Sequence, residues 1–194
     1  MKDMNTTTMT DGTEKTYLSC AETAKLLRRA LKAAFPGVKF SVRSDTYSMG
    51  ASIDVGYTDG PPQKAVERVA SRYRGADFDG SIDLKTYRGH YLLPDGTLAF
   101  GPTQGTQGSG GYIPAEAPER PAGAVLVQLG ADHVFVRREY SPGAEAMIWQ
   151  RARCKGAPAG DQHDPERWSY FHRASEEFDF RGGKPRFRAD GWES

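Results

Sequence analysis

Lys25, Arg28, Arg29 and Lys32 stand at i, i+3, i+4 and i+7, a spacing that puts four cations in one row along a helix. The chemistry open to such a row is recognition, of phosphates or of an acidic patch on another protein. The same spacing also fits a solvated helix face. Lys39 is the next cation along the chain and extends the candidate partner-binding set.

Signals for bond-making chemistry are weaker. The glycine-rich "GTQGSGG" lacks the Gly-Lys-Ser/Thr ending that gives a phosphate loop its cation and metal hydroxyl. Ser109 is not a nucleophile elbow, because Gln107 holds the position of that motif's first glycine. Asp77, Asp79 and Asp83 surround Gly80, but a calcium loop starting at Asp77 needs glycine where Ile82 stands and glutamate where Arg88 stands. His90, His133, His163 and His172 share no three- or four-residue helical spacing, and Cys154 is isolated from them. No catalytic residue, metal or cofactor is therefore expected. A site assembled from distant residues leaves no local signature, and the reading favours a protein that is not an enzyme.

Regular elements must carry the cations. "SCAETAKLLRRALKAAF" has Ala24, Leu27, Leu31 and Ala34/Phe35 on one apolar stripe, with Ser19 and Glu22 set for a capping box and Pro36-Gly37 to end the helix. "VKFSVRSDTYSMGASIDVGYTDGP" then alternates as two strands around Tyr47-Ser48-Met49-Gly50. Bringing both apolar sets to one face places Phe40 opposite Tyr57, Val42 opposite Val55, and Arg43 opposite Asp54 as an outer cross-strand charge pair. "GPPQKAVERVASRYRG" reads as a second helix with Ala65/Val66, Val69 and Tyr73 inward, and "YLLPDGTLAF" as a second hairpin.

Residues 1–17 are polar and aperiodic, which predicts disorder, and residues 101–123 have the composition of a loop or linker. Beyond them "AVLVQL" and "HVFVRREY" read as a strand pair, followed by helices from Pro142 to Cys154 and from Asp164-Pro165 onward. The fold class expected is α+β. A helix–strand–strand–helix core with an antiparallel sheet spans 18–100, and a mixed α/β extension spans 124–194.

At 194 residues the chain can bury one core plus an extension, and its 38% hydrophobic and 26% charged content fits a globular chain. No apolar run reaches membrane-span length and the N-terminus lacks a signal-peptide core, so a cytoplasmic protein with Cys20 and Cys154 reduced is expected. The net charge of +1 hides an uneven distribution. Residues 18–75 hold ten Lys/Arg against five Asp/Glu, while residues 76–132 hold three against seven. A bulk nucleic-acid binder would be basic throughout.

"AETAKLLRRALKAAFPGVKFSVRSDTYSMGASIDVGYTDGP" followed by "FDGSIDLKTY" resembles the large polyvalent protein-associated domain of the type numbered twenty-nine, over about residues 20–90. The resemblance implies a protein of phages and conjugative elements that helps incoming DNA to establish, and it brings no catalytic residues. It implies a small accessory factor, working in the host cytoplasm, that blunts a host defence such as CRISPR or restriction by binding its components. The alternative is a nucleic-acid-binding module that protects or processes incoming DNA. Within the motif, Ser41, Arg43, Ser44, Tyr47, Asp54 and Asp59 read as fold-keeping. Lys25, Arg28, Arg29, Lys32 and Lys39 are left for a partner.

Overall fold

The computed structural model describes residues 5–8, 14–79, 84–103, 119–160, 164–180 and 186–187. Their elements are β1 (Asn5–Thr8), β2 (Glu14–Leu18), α1 (Cys20–Ala34), β3 (Ser41–Tyr47), β4 (Gly50–Thr58), α2 (Gln63–Ala70), β5 (Ala76–Asp79), β6 (Leu84–Leu92), β7 (Leu98–Thr103), β8 (Val125–Leu129), β9 (His133–Glu139), α3 (Pro142–Cys154), α4 (Pro165–Glu177), β10 (Phe178–Asp179) and β11 (Arg186–Phe187). The fold is α+β. No helix among the described residues is long and apolar enough to cross a membrane.

α1 begins where the sequence places it. The Ser19 hydroxyl accepts from the Glu22 amide, and Glu22 accepts from the Ser19 amide at 2.8 Å. The following hairpin keeps its expected register, with Val42 opposite Val55 and Arg43 opposite Asp54. Arg43 and Asp54 nevertheless form no ion pair among the described residues, so the expected charge pair is corrected to adjacency alone. Both side chains are exposed, and solvation competes with pairing there.

The structure departs from the expected strand pair formed by "AVLVQL" and "HVFVRREY". β8 lies between β2 and β6, parallel to the first and antiparallel to the second, whereas β9 adds to β4 in parallel. Their burial patterns explain the separation. Val127 and Leu129 of β8 are fully buried against the core, while β9 alternates and offers only Val134 and Val136 to it. The three-residue link between them is pinned by Gly75 donating to the Ala131 carbonyl at 2.7 Å and Asp132 donating to that of Ala51 at 2.8 Å.

Two sheets result. One has the order β3-β4-β9, and the other runs β1-β2-β8-β6-β5 with β7 also paired to β6. A single apolar cluster holds α1 and α2 against both, joining Leu27, Leu31 and Val66 to Ile53 and Val55 of one sheet and Val127 and Leu129 of the other. Residues 5–8 and 14–17, where the composition predicts disorder, are strands of the second sheet, and Gly101–Thr103 belong to β7. Most of the expected linker, residues 104–118, lies outside the described residues.

α3 and α4 form a second cluster around Ile148, Phe171 and Phe178. It is fastened to the core by Arg138. That buried guanidinium donates to the carbonyls of Asp59 at 2.7 Å and Gly60 at 3.0 Å, and to those of Ser175 and Phe178 at 2.7 Å each. Asp59 and Gly60 present their carbonyls from left-handed backbone, with φ of 58° and 62°. The Asp59 carboxylate also accepts from the Ser141 amide at 2.8 Å, so "TDGP" is a docking corner for the C-terminal helices.

His90 is buried in the second sheet and neither ring nitrogen makes a well-formed hydrogen bond. Burial lowers its pKa from 6.5, outweighing the pull of the Arg88 and Arg72 carbonyls. A folded pKa below the unfolded one means that His90 favours folding least at acid pH. Its contribution is complete above about 6.5 and is lost as pH falls through the folded value. Wild type should therefore lose more stability than His90→Gln between pH 7.5 and pH 5 in urea titrations. Equal losses would show that His90 is protonated as readily in the folded chain as in the unfolded one.

Candidate functional site

α1 buries Ala24, Leu27 and Leu31 as its sequence stripe requires, but Leu26 is buried too. This second apolar flank belongs to the same cluster as Leu18 and Leu92 of the larger sheet. The periodicity misses it because Leu26 lies off the main stripe and is buried by strands distant in sequence. An open groove of about 570 Å³ follows this flank, with Leu18, Leu26 and Leu92 beneath and Glu22, Lys25, Arg28, Arg29 and Lys32 around it. The floor is aliphatic and the rim is cationic.

All four cations of the row are exposed, but they are not equivalent. Arg28 donates from Nη2 to the Val42 carbonyl at 2.7 Å, tying α1 to β3. Arg29 leans over the turn of the β6–β7 hairpin, where a Cβ added to Gly96 would meet its Nη2 at 3.0 Å. Lys25, Arg29 and Lys32 have no ion-pair partner among the described residues. Glu22, the acidic group at the groove's end, is held in the helix cap.

Lys39 is not part of this groove. It lies beside β3 and lines a hollow of about 750 Å³ on the outer face of the smaller sheet, together with Arg43, Asp54, Gly56 and Arg137. The sequence row thus divides into a four-residue rim on α1 and a lysine on another surface. Proximity in sequence does not carry across the Pro36-Gly37 turn, after which the chain faces a different layer.

The candidates for bond-making chemistry are scattered. Asp77 is paired with Arg74, at 3.0 Å, and with Arg88, while Asp83 lies outside the described residues. No group of three or more His, Cys, Asp or Glu that could hold a metal is gathered among the described residues. Burial and the nearby Asp132 raise the pKa of the Cys20 thiol, which donates to the Ser52 carbonyl at 3.4 Å. That environment disfavours the thiolate a nucleophile needs.

The family model of the large polyvalent protein associated domain 29 matches residues 18–141, well over half of the chain. The match extends beyond the motif-bearing segment of residues 20–90 to take in β8 and β9, the strands that complete the two sheets. No curated protein and no solved structure matches the chain.

Proposed function

The chain belongs to the large polyvalent protein associated domain 29 family, which is associated with phages and mobile elements, and from this premise we propose that it acts as a non-enzymatic binding protein that antagonises a host defence system by holding one of its protein components. The observation that carries this reading is the α1 groove. An aliphatic floor accepts an apolar anchor from a partner, and a row of cations beside it selects acidic neighbours around that anchor. At 1.5 Å per residue the row from Lys25 to Lys32 runs for about 10 Å, the length of two helical turns. A nucleic-acid strand would find phosphate partners on this rim but no ring in the floor on which a base could stack.

The test is charge reversal with the fold protected. Arg28 is left alone because it holds the Val42 carbonyl, and Lys25→Glu, Arg29→Glu and Lys32→Glu are combined. Affinity purification from a defended host, with captured proteins identified and re-measured in purified form, should recover a defence component with wild type. The triple variant should bind it at least about a hundredfold more weakly, with an unchanged Tm. Capture of the same component at equal affinity by the triple variant would remove the groove from the interface.

A further inference from the structure

The smaller sheet has helices on one face only. Val42, Ile53, Val55 and Tyr57 point into the core with α1 and α2, so the opposite face of β3-β4-β9 is open. The pairing register builds that face in rows: Arg43 beside Asp54 beside Phe135, then Ser41 beside Gly56 beside Arg137. Phe135 is 54% exposed, an unusual position for a ring on a strand with apolar positions inside. Its ring stacks with His133 at 5.9 Å and an interplanar angle of 25°.

Two adjoining hollows lie on the face, of about 750 and 540 Å³, and Asp54 and Arg137 line both. Gly56 leaves the floor between them bare, since a Cβ there would touch nothing nearer than 4.0 Å. Lys39, Arg43 and Arg137 have no ion-pair partner among the described residues, although Asp54 and Glu139 line the same hollow. Asp45, the other acid on this face, accepts from the Thr46 amide at 2.9 Å near the hairpin tip.

We propose that this open sheet face binds single-stranded nucleic acid. An exposed ring on the edge strand of this bare face stacks a base, Arg137 beside it takes one flanking phosphate, and Arg43 and Lys39 of the adjoining hollow take the next ones along the strand. The Asp54 carboxylate, one strand away from Phe135, accepts from an exocyclic amino group of that base. A duplex hides its base faces and cannot use Phe135 in this way. A protein strand would supply anions only where it carries acidic side chains, whereas a single nucleic-acid strand brings a phosphate beside every base, which matches a ring with cations along the same face. This surface is separate from the α1 groove, and its test stands apart from that of the proposed function.

The measurement is fluorescence anisotropy of a labelled single-stranded 12-nucleotide probe and the matching duplex, each at low and moderate salt. Wild type should bind the single strand at least tenfold more tightly than the duplex. Phe135→Ala should weaken single-strand binding about tenfold or more, and Phe135→Trp should restore it, which separates stacking from folding. Arg43→Ala with Arg137→Ala should weaken binding and flatten the log–log salt slope by roughly 1 to 1.5. The triple variant on α1 should bind as wild type does. Absence of binding at low salt, equal binding of duplex and single strand, or indifference to Phe135→Ala would each overturn the proposal.

Discussion

Arg138→Met should cost on the order of 3–5 kcal/mol of stability, the largest loss expected from any single side-chain replacement in this chain. The guanidinium is buried and donates to four backbone carbonyls, those of Asp59, Gly60, Ser175 and Phe178; Gly60 also accepts from the Phe180 amide and Ser175 from the Phe178 amide. Methionine fills similar volume but donates nothing, so all four carbonyls lose a charged donor away from water, and Gly60 and Ser175 keep only a backbone amide. Tyr140 and Phe178 also lose the cation over their rings, at 4.9 and 5.8 Å. Arg138→Lys should recover only part of the loss, because one ammonium cannot reproduce a planar fork reaching four acceptors. Since two acceptors lie in the "TDGP" corner and two at the end of α4, hydrogen exchange should rise first in α4. A loss under about 1 kcal/mol with unchanged protection of α4 would show that the helices are held by the apolar cluster alone.

Gly75→Ala should destabilise the chain by about 3 kcal/mol or more, above the usual overpacking cost because the clash is with backbone. A Cβ on Gly75 would sit 2.1 Å from the Leu129 carbonyl oxygen, and no rotamer change relieves that contact. The strands cannot part cheaply either. Gly75 donates to the Ala131 carbonyl at 2.7 Å and accepts from the Arg88 amide at 2.9 Å, at the crossing where the chain leaves β8 of one sheet for β9 of the other. Gly143→Ala is the internal control, since a Cβ there meets nothing within 4 Å and the residue lies in α3. It should be neutral or stabilising by up to about 1 kcal/mol. Equal melting of the two variants would show that the strand crossing at Leu129 yields to a methyl group.

What the sequence made legible was local. The Ser19–Glu22 cap, the hairpin register and the Pro142–Cys154 helix each depend on residues within about twenty positions of one another, and the structure has all of them. Long-range choices left no such trace. Nothing in "HVFVRREY" says that β9 joins β4 rather than its neighbour β8, because that choice depends on which sheet edge is free. Arg138 reads as one cation in a basic pair until Asp59 and Ser175 are brought to it. The α1 row was visible from spacing, but its groove was not, since Leu18 and Leu92 come from other elements. In the sequence Phe135 reads, with its neighbours, as a strand residue of either face. Only the side of β9 on which it falls shows that its ring faces outward.

The role assigned to the α1 groove is tested most directly by establishment of phage or plasmid DNA in paired host strains, one with an active defence system and one without. The chain should raise establishment in the defended strain and have no effect in the undefended one. The Lys25→Glu, Arg29→Glu, Lys32→Glu variant, expressed at the same level and equally stable, should return the defended strain to full protection. Equal establishment with and without the chain across strains carrying restriction and CRISPR systems, or full activity of the triple variant, would contradict the account.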